Sequence, residues 1–460
     1  MSRHTLRILS FLLLLALAVF APVVASGYSE LKQASQAKSY VDVAEHYRAA
    51  AMRLPWRADL YELAGHAYYR AKDYPKAEAL YRKAFERRAL SPAGWVAWGD
   101  ILYLEKDPKQ AAQIWEQGLG QKNPSEDLYS RLAQIYKENK DYARAAQYLQ
   151  KYVANHAKDA SAHYRLGLLL SLTDPNAALT ELISASQLDP QLDPAVQTLR
   201  SALNQASLSS SASDRLVLTG RGLALIQEWE LAHAAFDSAV EADPANAEAW
   251  AWLGEANHQT GQDGARELDK ALQLDPNSPV VRGLRGLYFE RAGNFRYALA
   301  EFQAAARVDQ KNPAWQVSIG EAYSKLGDLI RALESYQAAT KVAPQEASYW
   351  RLLAIFCAQN NVNINGVGIP AAERAVALDQ KNADSQDLLG WLFFLNKRYA
   401  ESETHLKQAL QLDPQNLSAH LHMGMLKLQQ GDRTAAYEHF VAARDLGSVD
   451  AATILKQYFP

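Results

Sequence analysis

The sequence has one cysteine, no long run of charge of either sign and, beyond its first 25 residues, no apolar stretch long enough to span a bilayer. Each scarcity removes a class of protein. The single cysteine, Cys357, excludes an internal disulfide framework and any cysteine-based zinc site. A net charge of -3, with no Lys/Arg run standing out, argues against nucleic acid, whose binders need a basic face to displace counterions. Catalytic signatures are missing too. There is no Gly-x-Ser-x-Gly, P-loop, His-Glu-x-x-His or metal-spaced Cys/His cluster. No catalytic residue, cofactor or metal is therefore expected. What remains is a chain of 460 residues, 48% apolar, ample for a packed core.

The first residues differ from the rest. Arg3, His4 and Arg7 make a short basic head, and an apolar stretch runs from Ile8 to Ala25, interrupted only by Ser10 and Pro22. Val23-Val24-Ala25-Ser26 supplies small residues suited to signal peptidase. Residues 1–25 therefore read as a cleaved signal peptide, with Pro22 expected to break the helix, or as an uncleaved anchor just short of the roughly 20 residues a span needs. In both readings the basic head stays inside and the rest of the chain is exported. Contact with a membrane is expected only through this segment, if it is retained. No cysteine follows the segment, which excludes a lipoprotein anchor.

A period of 34 residues runs through the remainder. It relates Gly65 to Gly99, Ala77 to Ala111, Gly286 to Gly320, Ala298 to Ala332, Phe302 to Tyr336, Gly390 to Gly424 and Ala409 to Ala443. Within Pro313–Glu346, Ile319, Gly320 and Tyr323 lie at helical spacing, Leu326-Gly327-Asp328 makes a turn, and Ala332, Tyr336 and Ala339 mark a second helix closed by Pro344. The small residues let two helices approach, and the aromatic residues fill the space around that contact. One pair leaves apolar surface uncovered, so neighbours must stack.

This pattern resembles the tetratricopeptide repeat, whose helix-turn-helix places a large residue, Leu-Gly, Tyr, Ala, Phe, Ala and Pro at fixed positions. Trp250, Leu253-Gly254, Leu274-Asp275-Pro276 and Leu412-Asp413-Pro414 quote it closely. The resemblance implies an all-α, right-handed solenoid of about twelve repeats. They begin near Tyr28, Ala58, Pro92, Glu126, Ala160, Ser213, Ala247, Pro279, Pro313, Ala347, Ala383 and Leu417. The first repeat lacks a recognisable first-helix signature. After the fifth, Asp193-Pro194 should start a capping helix, with Asp193 as its N-cap and Val196, Leu199 and Leu203 as its stripe. The expected blocks are thus 28–206 and 213–460, joined by a Ser-rich stretch at 207–212. Ile454, Leu455 and Tyr458 should form a terminal cap, and Asn360–Gly368 should replace the tight turn of the tenth repeat with a longer loop.

Isolated chemistry-bearing residues read as structural. Thr219-Gly220-Arg221-Gly222 follows no strand, so its glycines are packing glycines. His420 and His422 are two apart and cannot share a helical face. Glu401 and Glu403 fall on solvated faces, and Cys357 is a buried small apolar residue. Known family specificities also fail to match. The carboxylate clamp would need lysine at Glu62, Val96, Ser130 or Val317 and asparagine at His66, Asp100, Gln134 or Glu321. The asparagine ladder would fall at Leu63, Ala97, Arg131, Ser318 and Leu388.

The resemblance leaves the face lined by first helices as the binding surface for a protein or peptide partner. In the last two repeats it carries Trp391, Phe394, Leu395, Leu421, Met425 and Leu428, preceded by Asp387. The strip is either packing between neighbouring first helices or a groove for an apolar or amphipathic peptide. A second candidate comprises Tyr69, Val96, Tyr103 and Leu104, tyrosine being suited to a wet binding surface. The expected function is a non-enzymatic extracytoplasmic scaffold. The alternative is a factor of envelope or polysaccharide assembly, with Trp95, Trp98, Trp250 and Trp252 as sugar platforms; a stand-alone enzyme is the remote one.

Overall fold

The computed structural model describes residues 3–459, with side chains from residue 18 onward. Among the described residues the chain is all helix. Two compact blocks comprise Met1–Leu208 with Gly222–Ala234, and Ser209–Arg221 with Ala235–Pro460.

In the first block, helices pair in chain order. The pairs are α1 (Arg3–Gln36) with α2 (Tyr40–Arg53), α3 (Asp59–Arg70) with α4 (Tyr74–Phe85), and α5 (Pro92–Leu104) with α6 (Pro108–Leu119). They continue with α7 (Asp127–Glu138) and α8 (Tyr142–Asn155), then α9 (Ala160–Leu170) and α10 (Pro175–Leu188). The capping helix α11 spans Asp193–Ser207. Next come α12 (Ala212–Leu225) and α13 (Trp229–Ala242), whose turn end belongs to the first block and whose open end belongs to the second.

The second block continues with α14 (Ala247–Gln259) and α15 (Ala265–Leu274), α16 (Pro279–Arg291) and α17 (Phe295–Val308), and α18 (Pro313–Lys325) and α19 (Leu329–Val342). It ends with α20 (Ala347–Asn360) and α21 (Ile369–Leu378), α22 (Ala383–Leu395) and α23 (Tyr399–Leu412), α24 (Leu417–Gln429) and α25 (Arg433–Asp445), and the cap α26 (Val449–Tyr458). The expected repeat starts after the first fall within a residue of these first helices.

Many second helices begin at a side-chain cap. Aspartates 73, 107, 141, 328 and 432 accept from a backbone N–H three residues on and so cap α4, α6, α8, α19 and α25. The signature aromatic does more than fill space. Trp250 Nε1–H donates to the Pro244 carbonyl at 2.9 Å and Trp350 to that of Pro344 at 3.0 Å, tying the first helix to the turn before it. The signature glycine makes room for a ring on the second helix. A Cβ at Gly320 would lie 3.0 Å from the Tyr336 ring and 3.4 Å from the Ala332 carbonyl.

Several expectations are corrected. Pro22 does not break its helix; α1 runs through it. The carbonyl that Pro22 leaves without a partner is that of Ala18, on an exposed stretch where water can satisfy it. The first repeat does have its glycine. Gly27 is buried beneath Leu54, but 38 rather than 34 residues before Gly65. Asp193 is the first residue of α11 and not its cap; its carboxylate accepts from Ser186 and Gln197. Val196, Leu199 and Leu203 are buried as expected.

The serine stretch shrinks to residues 208–211 between helices. There Ser209 Oγ accepts from the Ser211 N–H, Ser211 Oγ accepts from the Asp214 N–H, and Arg215 donates to two carbonyls. In the tenth repeat residues 361–368 do replace the usual three-residue turn of the sister repeats with a longer connection, but most of it is a helical turn and not open loop. Asn361 and Asn363 adopt positive φ, and a π turn, Ile364–Gly368, leads into α21 with Ile364 buried. In the last cap Leu455 is buried but Tyr458 is exposed.

Candidate functional site

The first block carries a groove of about 910 Å³. Its walls are α3 with Leu63, His66 and Tyr69, α5 with Val96 and Asp100, and α7 with Arg131; Tyr40 and Tyr47 of α2 close one end. These side chains converge because successive first helices repeat the same register, so residues 34 apart stack side by side. Tyr40 and Leu63 are exposed. Arg131 spans two repeats, donating from Nε at 2.6 Å and from Nη2 at 3.0 Å to the Asp100 carboxylate. Burial works to lower the Arg131 pKa, but the bonded carboxylate outweighs it and holds the pKa above its ordinary value. Burial likewise raises the Tyr69 phenol, with Asp100 adding to the effect.

Below the groove, Glu62 is buried and accepts from the Ser91 backbone N–H at 2.9 Å and from Arg88. These bonds and His66 overcome its burial and hold its carboxyl below the usual range. Glu62 is thus a fixed brace between α3 and the start of α5, not a free ligand.

Of the second candidate set, Tyr69 and Val96 line this groove. Tyr103 and Leu104 are exposed but are not part of its lining. Tyr103 donates to Glu138, which also accepts from Gln134, and Arg165 donates to Gln134 in turn. A polar ladder thus crosses α5, α7 and α9. It was not read from the sequence, because each member looks like an ordinary solvated residue.

The structure brings the first candidate set together as well. All six apolar members are half-buried, and Asp387 is buried. Leu421, Met425 and Leu428 pack against the core of the last repeat around Phe440, and Phe394 packs against Leu406 and Met423. Trp391 stacks on Phe394 at 5.0 Å and on His422 at 4.3 Å, and His422 Nδ1–H donates to Asp387 at 2.8 Å. Trp391 is therefore already engaged by two of the protein's own rings. His422 is the member that sequence reasoning missed; its spacing of 35 from Asp387 was the available signal.

Other expectations resolve here. Gly220 packs against Phe236, as a packing glycine should. Cys357 is fully buried, and burial pushes its thiol up to about 11. Glu403 is not on a solvated face. It is half-buried and bonded by Lys407, Lys427 and Gln430, which hold it down to about 2. Trp95 and Trp98 are buried and offer no face to a sugar. Among the described residues, no group of three or more His, Cys, Asp or Glu side chains is placed to hold a metal ion. Likewise, no helix is long and apolar enough to cross a membrane.

Sequence profiles of the tetratricopeptide repeat match residues 102–168 and, with a second profile, residues 62–126, 220–279, 317–361 and 366–416. The chain belongs to the tetratricopeptide-repeat family. No curated protein sequence matches it. Among solved structures, yeast Tom70 is similar at 17% identity and TM-score 0.39, over 88% of this chain and 95% of that one. MamA from Desulfovibrio magneticus is similar at 22% identity and TM-score 0.33, over 36% and 94%. PilF of Pseudomonas aeruginosa is similar at 18% identity and TM-score 0.37, over 47% and 98%. Tetratricopeptide-repeat proteins serve as protein-interaction scaffolds and are generally not enzymes.

Proposed function

We propose that this tetratricopeptide-repeat protein is a non-enzymatic scaffold acting outside the cytoplasm, and that the groove along α2, α3, α5 and α7 holds a protein or peptide partner. The observation that supports this reading is the groove itself. It is open, lined by tyrosines 40, 47 and 69 beside apolar Leu63 and Val96, and stiffened by the Arg131–Asp100 fork. Tyrosines give contact area with little entropy lost on binding, and a braced wall need not reorganise. The members of the Trp391 strip are half-buried and Trp391 is stacked on Phe394 and His422, so the strip ranks second as a docking surface. The export half of the reading rests on the basic head and the apolar stretch Ile8–Ala25, much of which lies outside the residues whose side chains are described.

A photo-crosslinking residue at Leu63, introduced in the native host, should capture a protein partner that the same residue at Lys109 does not. Val96→Arg should abolish that capture while circular dichroism stays unchanged. Equal capture at both positions, or capture that survives Val96→Arg, removes the groove. N-terminal sequencing tests the export half separately. A start near Ser26 or Gly27, or an intact chain held in the membrane, is expected; an intact Met1 in the soluble cytoplasmic fraction rejects it.

A further inference from the structure

The last repeat holds a pair of histidines that lies apart from the groove. His420 on α24 and His439 on α25 are both half-buried, with their Nδ1 atoms 3.0 Å apart. The repeat dictates how the His420 ring is held. It stands where Trp250 and Trp350 stand in sister repeats and makes the same bond, with Nε2 3.1 Å from the Pro414 carbonyl. A carbonyl only accepts, so Nε2 carries the proton and Nδ1 presents a lone pair. His439 donates its Nδ1–H to that lone pair or, in its other tautomer, presents a second lone pair beside it. Two sister repeats place a carboxylate opposite this position, Glu181 facing His163 and Glu301 facing Arg282, and the preceding repeat places His405 opposite Gln386. Of these four repeats the last is the one that sets two imidazoles face to face.

We propose that His420 and His439 form a two-imidazole site for a divalent transition-metal ion of tetragonal preference, with copper(II) as the first example. The distance selects the class. With metal–nitrogen bonds of about 2.0–2.1 Å, donors 3.0 Å apart subtend about 95° at the ion. That is a cis angle of a square-planar or octahedral site, narrower than a tetrahedral one. The Pro414 carbonyl supplies the outer support that ligating histidines usually have, fixing tautomer and ring orientation through the other nitrogen. Loading moves the His439 proton from Nδ1 to its own Nε2 and releases none. Water completes the coordination. The bound ion clamps α24 to α25.

The test is titration of the full-length protein with copper(II), using glycine as competing chelator and reading bound copper by electron paramagnetic resonance. Two variants are chosen to keep the fold. His439→Gln retains a side chain able to hydrogen-bond His420. His420→Trp restores the sister residue and its bond to the Pro414 carbonyl. The wild type should hold one more copper per chain than either variant, with coupling to two imidazole nitrogens at that ion. Copper should raise the melting temperature of the wild type only. The proposal fails if both variants hold as much copper as the wild type with affinities within twofold. It also fails if the wild-type spectrum lacks two-imidazole coupling.

Discussion

Left-handed backbone at the helix–helix turns is handled differently in the two blocks. In the first block the positive-φ turn residue is a long polar one: Lys72, Lys106, Lys140 and Gln227 have φ near +61°, +64°, +61° and +65°. In the second block it is glycine at 261, 293, 327 and 431, with Lys397 and the asparagines 361 and 363 the exceptions. A side chain in this region costs roughly 1–2 kcal/mol through the Cβ–carbonyl clash. Gly327→Ala isolates that cost, because nothing lies within 4 Å of the new Cβ. It should lose about 1 kcal/mol in urea unfolding with the m-value unchanged. Lys140→Gly should gain less than about 1 kcal/mol, since glycine also frees the unfolded chain.

Glu403 gives a pH effect at the same scale. Its folded pKa is depressed to about 2, so its stabilising bonds are fully present above the ordinary carboxylate range near 4.5 and fade as pH falls toward 2. Glu403→Gln should flatten the acid limb of the stability curve in that window and leave stability at pH 7 less dependent on Lys427. An acid limb identical to wild type would mean the Lys407 and Lys427 contacts contribute nothing.

Helices were legible wherever packing alone chose the residue. Glycine against ring, alanine against alanine and proline at the exit recur because two helices at contact distance leave few alternatives. They fixed the repeat starts to within a residue. Gly320→Leu tests that register directly. The Tyr336 ring stands 3.0 Å from the added Cβ, so the pair must separate, at a cost of about 3 kcal/mol. A melting curve superimposable on wild type would place the helix contact elsewhere.

What was not legible depended on partners distant in sequence or on water. The π turn at Ile364–Gly368 is set by Ile364 entering the core beside Cys357, which the run of asparagines conceals. Passage of α1 through Pro22 depends on an exposed carbonyl. Of the candidate site, Tyr69 and Val96 were legible from register. The Arg131–Asp100 fork and the His422–Asp387 pair were not, because they join residues 31 and 35 apart whose types alone suggest solvent.

At the scale of the whole chain, the boundary between blocks decides which fragments can fold. The Ser-rich stretch was expected to be the joint, and Leu208 within it is 86% exposed. The residues just beyond it do not all go with the second block, however. Gly222–Ala234 group with the first. A Cβ at Gly222 would meet Ala202, and Glu228 and Leu231 line a cavity of about 130 Å³ with Ala133, Tyr164 and Leu168. Leu231 is fully buried. Cleavage at Leu208 should therefore leave two unequal products, since accessible turns are cut first but fragments survive only if their own apolar faces stay covered. The fragment ending at 208 should lose the cover of Gly222–Ala234 and melt below the intact chain. The fragment beginning near 209 should fray through the turn of α12 and α13, so that a second round of cleavage falls at 222–234 while residues from Ala247 onward persist. Limited proteolysis read by mass spectrometry distinguishes the cases. A stable 209–460 fragment, with hydrogen exchange across 222–234 as slow as in the intact chain, would show that the hairpin belongs wholly to the second block and that 207–212 is the true joint.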